Sequence, residues 1–270
     1  MSLPWNKTME LDMSAQAVHG ILLQAWPRRA PPVSVRHTIA QTATVPGTTP
    51  ALSAVDAVLS GLRASAPAGR IRLSVALADE RSHFDVVAGN YRNASERQLR
   101  AIASACVAEL LGERATGQVV RWQLQPDLRH LLICSIHQED VDALLAAAAN
   151  HKLSLASVQP GFCKQWNRHA VALGGGTGVF ASADGARTII ACVTDGTITA
   201  LSCGLLPDGD PDSQEDSTAP GPLDTRVNRL LASIGQDLRS VSRFVLAGTG
   251  LTGHRLASHW TRITPQEHAT

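Results

Sequence analysis

The strongest constraint on this chain is an order of elements used twice. Near the start, MELDM (9–13) and AVHGILLQAW (17–26) are two apolar runs around a short turn, and VSVRHTIAQTATV (33–45) alternates as a strand does. ALSAVDAVLSGLRASA (51–66) has the apolar spacing of an amphipathic helix, and RIRLSVALADE (70–80) reads as a further strand. After Gly174–Gly178 the same order returns. GVFASAD, RTIIACVTDG and TITALSCGLL give three strands, with Asp184-Gly185 and Asp195-Gly196 as hairpin turns. LDTRVNRLLASIGQDLR then gives a helix and RFVLAG (243–248) a strand. Such a duplication predicts an α/β fold of two lobes that meet at a cleft.

Between the copies lies a block of different order. HFDVVAGNY reads as a strand, and SERQLRAIASACVAELLGE as a helix capped by Ser95. VVRWQLQ and HLLICSIH are strands, EDVDALLAAAANHK is a helix with acidic residues at its positive end, and LSLASVQP is a short strand. GFCKQWNRHAVAL is read as a helix. The expected division is a first lobe over 1–172, holding an inserted α/β block at about 82–160, and a second lobe over 173–270. The Pro-, Asp- and Ser-rich stretch 207–222 is expected to be a flexible loop.

With 270 residues, 44% of them apolar, the chain can bury two cores. Its formal charge of +1 argues against a nucleic-acid or anionic-membrane surface. The start, MSLPWNKTMELD, has no apolar segment behind a basic one, and no apolar run is long enough to cross a bilayer. The five cysteines, Cys106, Cys134, Cys163, Cys192 and Cys203, are widely spaced and read as reduced, packed thiols. The expectation is a cytoplasmic protein.

The chemistry-bearing motifs are few. FVLAGTGLTGHRLASHW (244–260) reads as a buried strand, a glycine turn and a helix, a junction that either holds an anion or only makes a tight turn. The Gly174-Gly175-Gly176-Thr177-Gly178 run lacks the Lys-Ser/Thr ending of a P-loop and precedes a strand, so it reads as a hinge. The histidines, among them His130, His137, His254 and His259, show no metal spacing, and His169 after Cys163 makes no trusted dyad. No Gly-x-Ser-x-Gly elbow occurs. Asp79-Glu80 is read as a solvated strand end in preference to an acid/base pair. Trp122 and Trp166 are read as packing residues, with anchoring of a peptide as the alternative.

The duplicated order with its terminal strand-AGTG turn resembles the actin-like ATPase superfamily, that of actin and the sugar kinases. Within it the chain is most similar to PilM-type pilus-assembly proteins and the cytoplasmic part of GspL-type secretion proteins. The resemblance implies a duplicated actin-like (ribonuclease H-like) two-lobe fold, with an α/β subdomain inserted in the first lobe. It further implies that hairpins between the first two strands of each lobe cradle phosphates, with an Asp organising Mg²⁺ and water. Asp12 stands at the first such position, but Ser14, Ala15, Gln16 and Ala17 follow where glycine and small hydroxyl residues belong. At the second, Val179-Phe180-Ala181-Ser182 puts Phe180 in the carboxylate's place. The adenosine-side turn survives as Gly248 and Gly250.

The resemblance therefore implies a non-hydrolysing scaffold of a type IV pilus or type II secretion-like assembly. No cofactor is expected, with ATP at most a weak ligand. The implied partner is an inner-membrane assembly protein offering a PilN-like peptide near 33–45 and 83–91, together with a motor ATPase. The protein would reach the membrane only through that partner. An active superfamily ATPase or small-molecule kinase, motivated by Asp12 and the AGTG turn, is the alternative. An unrelated α/β domain is the third reading.

Overall fold

A computed structural model of the protein describes residues 6–14, 17–25, 33–40, 52–66, 69–184, 187–205, 221–248 and 258–263. The chain begins with strands β1 (Asn6–Met13), β2 (Ala17–Ala25) and β3 (Val33–Ala40), helix α1 (Leu52–Ser65) and strand β4 (Arg72–Leu77). The insertion follows as β5 (Ser82–Ala88), α2 (Glu96–Leu111), β6 (Gln118–Leu124) and β7 (His130–His137). Helix α3 (Gln138–Asn150), strand β8 (Ser154–Pro160) and helix α4 (Gly161–His169) come next. The second copy is β9 (Thr177–Asp184), β10 (Arg187–Thr194), β11 (Thr197–Leu205), α5 (Pro222–Ser233), β12 (Arg243–Gly248) and β13 (Trp260–Ile263).

The duplication is explicit in the sheets. One runs β3-β2-β1-β4-β8 and the other β11-β10-β9-β12-β13, each with an antiparallel meander followed by two parallel strands. The compact units are 1–82 with 137–164, and 83–136 with 165–269. The sequence expectation, by contrast, put the boundary at 172–173. It also gave β8 to the inserted block, whereas β8 pairs in parallel with β4, Leu77 opposite Pro160, and completes the first sheet.

In the first unit, β1 alternates cleanly. Met9, Leu11 and Met13 are buried, while Glu10 and Asp12 stand together on the other face. Helix α1 presents Val55, Val58, Leu59 and Leu62 at helical spacing, all fully buried. It seats on β2 at Gly20, where an added Cβ would lie 2.4 Å from Val58 Cγ1 and 2.6 Å from Leu62 Cδ1. Asp140, in the acidic first turn of α3, pairs with Arg81.

In the second unit, β9 and β10 are buried on both faces from 178 to 183 and from 188 to 193, which explains their near-continuous apolar runs. The Asp195-Gly196 hairpin forms as expected, with φ of +48° and +77°. Helix α5 packs Leu223, Val227, Leu230 and Leu231 against Val179 and Ile190. The insertion forms its own sheet, β5-β7-β6, under α2. Ser95 closes a full capping box on α2 with Gln98. Gln125 Oε1 accepts from Ile198 N–H at 3.2 Å, joining the insertion to β11.

The helix expected to close 244–260 falls mostly outside the described residues. Its last part differs from expectation: Ser258 and His259 form a turn, and Trp260 opens β13 opposite Phe244.

Candidate functional site

Asp12 lies near the end of β1, opposite His19 on β2 and Ala76 on β4. Its carboxylate is engaged. Lys164 Nζ, from the first turn of α4, donates to Asp12 Oδ1 at 2.5 Å and to Glu10 Oε2 at 3.3 Å. The two carboxylates share a face because they are two residues apart on a strand, and one ammonium serves both. The Lys164 side chain is only 16% exposed, so this pairing is less screened than a surface ion pair.

The turn beyond Asp12 is closed by its own hydroxyl. Ser14 N–H donates to Ala17 O at 2.8 Å, and Ser14 Oγ accepts from Ala17 N–H at 3.0 Å. Ser14 Oγ also donates to Ala17 O at 3.1 Å. The hydroxyl thus serves the backbone of the turn.

Asp79 departs from its expected role as a solvated strand end. It is 2% exposed, and its Oδ1 accepts from Phe162 N–H at 2.7 Å, at the N-terminus of α4. A carboxylate there satisfies a helix-end donor and complements the positive end of the dipole. Position 161 is a close fit, since a Cβ on Gly161 would lie 3.3 Å from Asp79 Oδ1 and from Leu77 O. Burial, with help from the Asp79 charge, pushes the neighbouring Cys163 thiol up to about 12.

The second sheet corrects the reading of Phe180. Phe180 sits in mid-strand, fully buried, with its ring edge-on to Trp166 at 5.5 Å. Asp12 pairs with Ala76, the fifth residue of β4; the fifth residue of β12, Ala247, pairs with Ser182. The counterpart of Asp12 is therefore Ser182, a buried hydroxyl, and Phe180 matches the position of Glu10. A short motif read without register places the substitution two residues too early.

Gly248 has φ of +96°, and an added Cβ would lie 2.2 Å from Ala183 O, its partner residue on β9. Close strand packing therefore requires this glycine with no ligand present. Gly250 lies outside the described residues. The Gly174–Gly178 run is stitched in place: Gly176 N–H donates to Asp195 Oδ1 at 2.8 Å, and Arg243 donates to Ala172 O at 2.8 Å.

Three of the histidines pair with carboxylates, and His254 lies outside the described residues. His130 pairs with Asp127, His151 with Asp56 and His259 with Asp224, and Asp224 also accepts from Trp260 Nε1 at 2.8 Å. Among the described residues no group of three or more His, Cys, Asp or Glu side chains could hold a metal ion. No described helix is long and apolar enough to cross a membrane. Trp122 packs partly buried against the α2 core beneath the Arg100 guanidinium, 5.3 Å away. Motif reading misses Lys164 and Ser182 and gives Asp79 the wrong surroundings, because each acquires its place only through pairing of distant segments.

No family model and no curated protein matches the sequence. Solved structures do. The PilM–PilN type IV pilus biogenesis complex aligns at a TM-score of 0.61 and 14% identity, over 96% of this chain and 89% of that one. A Bacteroides thetaiotaomicron protein of unknown function with an actin-like ATPase fold aligns at 0.53 and 12%, over 90% and 82%. The cytoplasmic domain of EpsL, an inner-membrane component of the Vibrio cholerae type II secretion system, aligns at 0.48 and 11%, over 80% of each chain. With its two matching sheets and the likeness of the first two structures, the chain has the actin-like ATPase fold.

Proposed function

We propose that this protein is a non-hydrolysing actin-like scaffold, cytoplasmic and held at the inner membrane by its partners, in a type IV pilus or type II secretion-like assembly. It binds an extended, PilN-like peptide of an inner-membrane component and couples that component to a motor ATPase. No bond is made or broken. Recognition would follow strand addition or groove filling, in which main-chain hydrogen bonds supply affinity and alternate side chains supply specificity.

The observation that carries the reading is the Lys164 ammonium on Asp12 and Glu10. A carboxylate that must organise hydrated Mg²⁺ has to offer its charge to the ion, and here a side chain of the same unit already takes it. Asp79 likewise answers a backbone donor at the start of α4, and Ser182 replaces the second carboxylate. The likeness to the PilM–PilN complex supports the choice of partner.

Two measurements test this. Calorimetric titration with Mg-ATP and with ADP is expected to give no saturable heat at millimolar nucleotide. Micromolar binding with turnover that vanishes in Asp12→Ala would instead favour the active ATPase or kinase. Separately, a synthetic N-terminal peptide of a PilN-like partner is expected to bind at 1:1 stoichiometry, equally well in Asp12→Ala. Absence of any such binding sinks the scaffold assignment.

A further inference from the structure

The second unit carries a cationic surface that neither the nucleotide motifs nor the scaffold reading uses. Arg226, on α5, lays its guanidinium over the end of β11. Its Nη1 donates to Gly204 O at 3.3 Å, and its Nη2 to Ser202 O at 3.5 Å and Ser202 Oγ at 3.3 Å. Position 204 is kept bare for it, since a Cβ there would lie 3.1 Å from the guanidinium. Arg229, one turn further along α5, is exposed on the same side of the helix. Arg187 opens β10 opposite Leu205, next to Gly204 in the sheet.

These like charges are close enough to affect one another. Burial foremost, and then the charges of Arg187 and Arg229, pull Arg226 below the usual arginine range, while Cys203 acts in the opposite sense. The hydrogen bonds of Arg226 go to neutral acceptors, and among the described residues neither Arg226 nor Arg229 has a carboxylate partner. A half-buried guanidinium held only by neutral acceptors is costly unless an anion joins it.

The donor set selects the anion. A guanidinium offers five N–H donors, and the contacts above leave several of them for a ligand. The Ser202 hydroxyl accepts from Arg226 and keeps its own O–H to donate. A planar fork, a second guanidinium within reach and a hydroxyl suit the several oxygens of a phosphate better than a single carboxylate. We propose that the surface formed by Arg226, Arg229 and Ser202 on α5 and β11 binds a phosphate group, carried either by a soluble phosphorylated molecule or by an acidic lipid headgroup.

The test titrates the full chain with pyrophosphate in a phosphate-free buffer, and in parallel with vesicles of phosphatidic acid in phosphatidylcholine or of phosphatidylcholine alone. Expected is saturable binding of at least one phosphate probe, weakened roughly tenfold or more in Arg226→Gln and severalfold in Arg229→Gln, and declining with salt. Binding of pyrophosphate alone assigns a soluble ligand, and binding of phosphatidic acid vesicles alone assigns a lipid. Arg229 is exposed, so Arg229→Gln decides the matter even if Arg226→Gln does not fold. No saturable binding of either probe, or binding unchanged in both variants, overturns the proposal.

Discussion

Replacing Gly248 by alanine separates two reasons for a glycine at the end of β12. If the residue is kept for a ligand, Gly248→Ala changes nucleotide affinity and leaves stability alone. If it is kept for the fold, stability falls whether or not a ligand is present. The structure supports the second. A side chain at φ of +96° is strained, which costs about 1–2 kcal/mol. The new Cβ would also lie 2.2 Å from Ala183 O and 3.1 Å from its carbonyl carbon, and both belong to backbone that cannot rotate away. Moving β9 aside there weakens the pairing of Gly248 with Ala183, and each backbone hydrogen bond lost costs a further 0.5–1.5 kcal/mol or so. After an offset of about 0.4–1 kcal/mol through the unfolded chain, the expected loss is about 1–3 kcal/mol, or roughly 2–5 °C in Tm for a chain of 270 residues. Gly235→Ala is the control. Gly235 has φ of +70° but nothing within 4 Å of an added Cβ. It carries the strain alone, offset by the same unfolded-chain effect, so its net cost is near zero to about 1.5 kcal/mol. Thermal and urea denaturation followed by circular dichroism measure both variants. A Gly248→Ala protein within about 0.5 kcal/mol of the parent would refute the packing argument and return the residue to the list of ligand contacts.

Asp79→Ala removes the acceptor at the start of α4 and leaves Phe162 N–H buried, which should cost about 1–2 kcal/mol in urea denaturation, with Asp79→Asn recovering part of it. Thiol alkylation at pH 8, followed by mass spectrometry, should label exposed Cys203 first. Cys163 and Cys192, both pushed up to about 12 by burial, should react only on unfolding. Partial burial raises Asp127, but the N–H groups of Arg129 and His130 and the His130 ring outweigh it and hold the carboxyl below its usual range. Because the folded value is the lower one, the contribution of Asp127 is present above a pH of about 4 and is lost as pH falls through the folded value. The stability gap between the parent and Asp127→Asn should therefore be full at pH 6 and close progressively below about pH 4.

What the sequence made readable was local. The strand over MELDM, the helical spacing of Val55, Val58, Leu59 and Leu62, the Ser95 cap and the Asp195-Gly196 turn all depend on neighbours within a few residues, and all form. The duplicated order was readable for the same reason. What failed depended on pairing across the chain. Strand β8 reads like any short strand, and nothing within it says that its partner is β4. Asp79 looks solvated until Phe162 is brought to it, and Lys164 is an ordinary helix lysine until α4 delivers it to Asp12. Register did the rest: Phe180 and Ser182 lie two residues apart on one face of β9, and the strand pairing decides which of them stands where Asp12 stands. Cys203, expected to be packed, is exposed because it lies near the end of an outer strand.

The placement of β8 sets a timetable for synthesis. The first sheet has its meander and β4 once residue 77 has been made, but the strand that covers the outer edge of β4 begins only at Ser154. At about 5–20 residues per second, a ribosome needs roughly 4–15 s to produce the stretch between them. For that interval the nascent chain carries a buried-type strand, RLSVAL, with one side unpaired. The insertion is thus a delay line in translation, and the apolar edge of β4 is the surface that a ribosome-associated chaperone would meet during it.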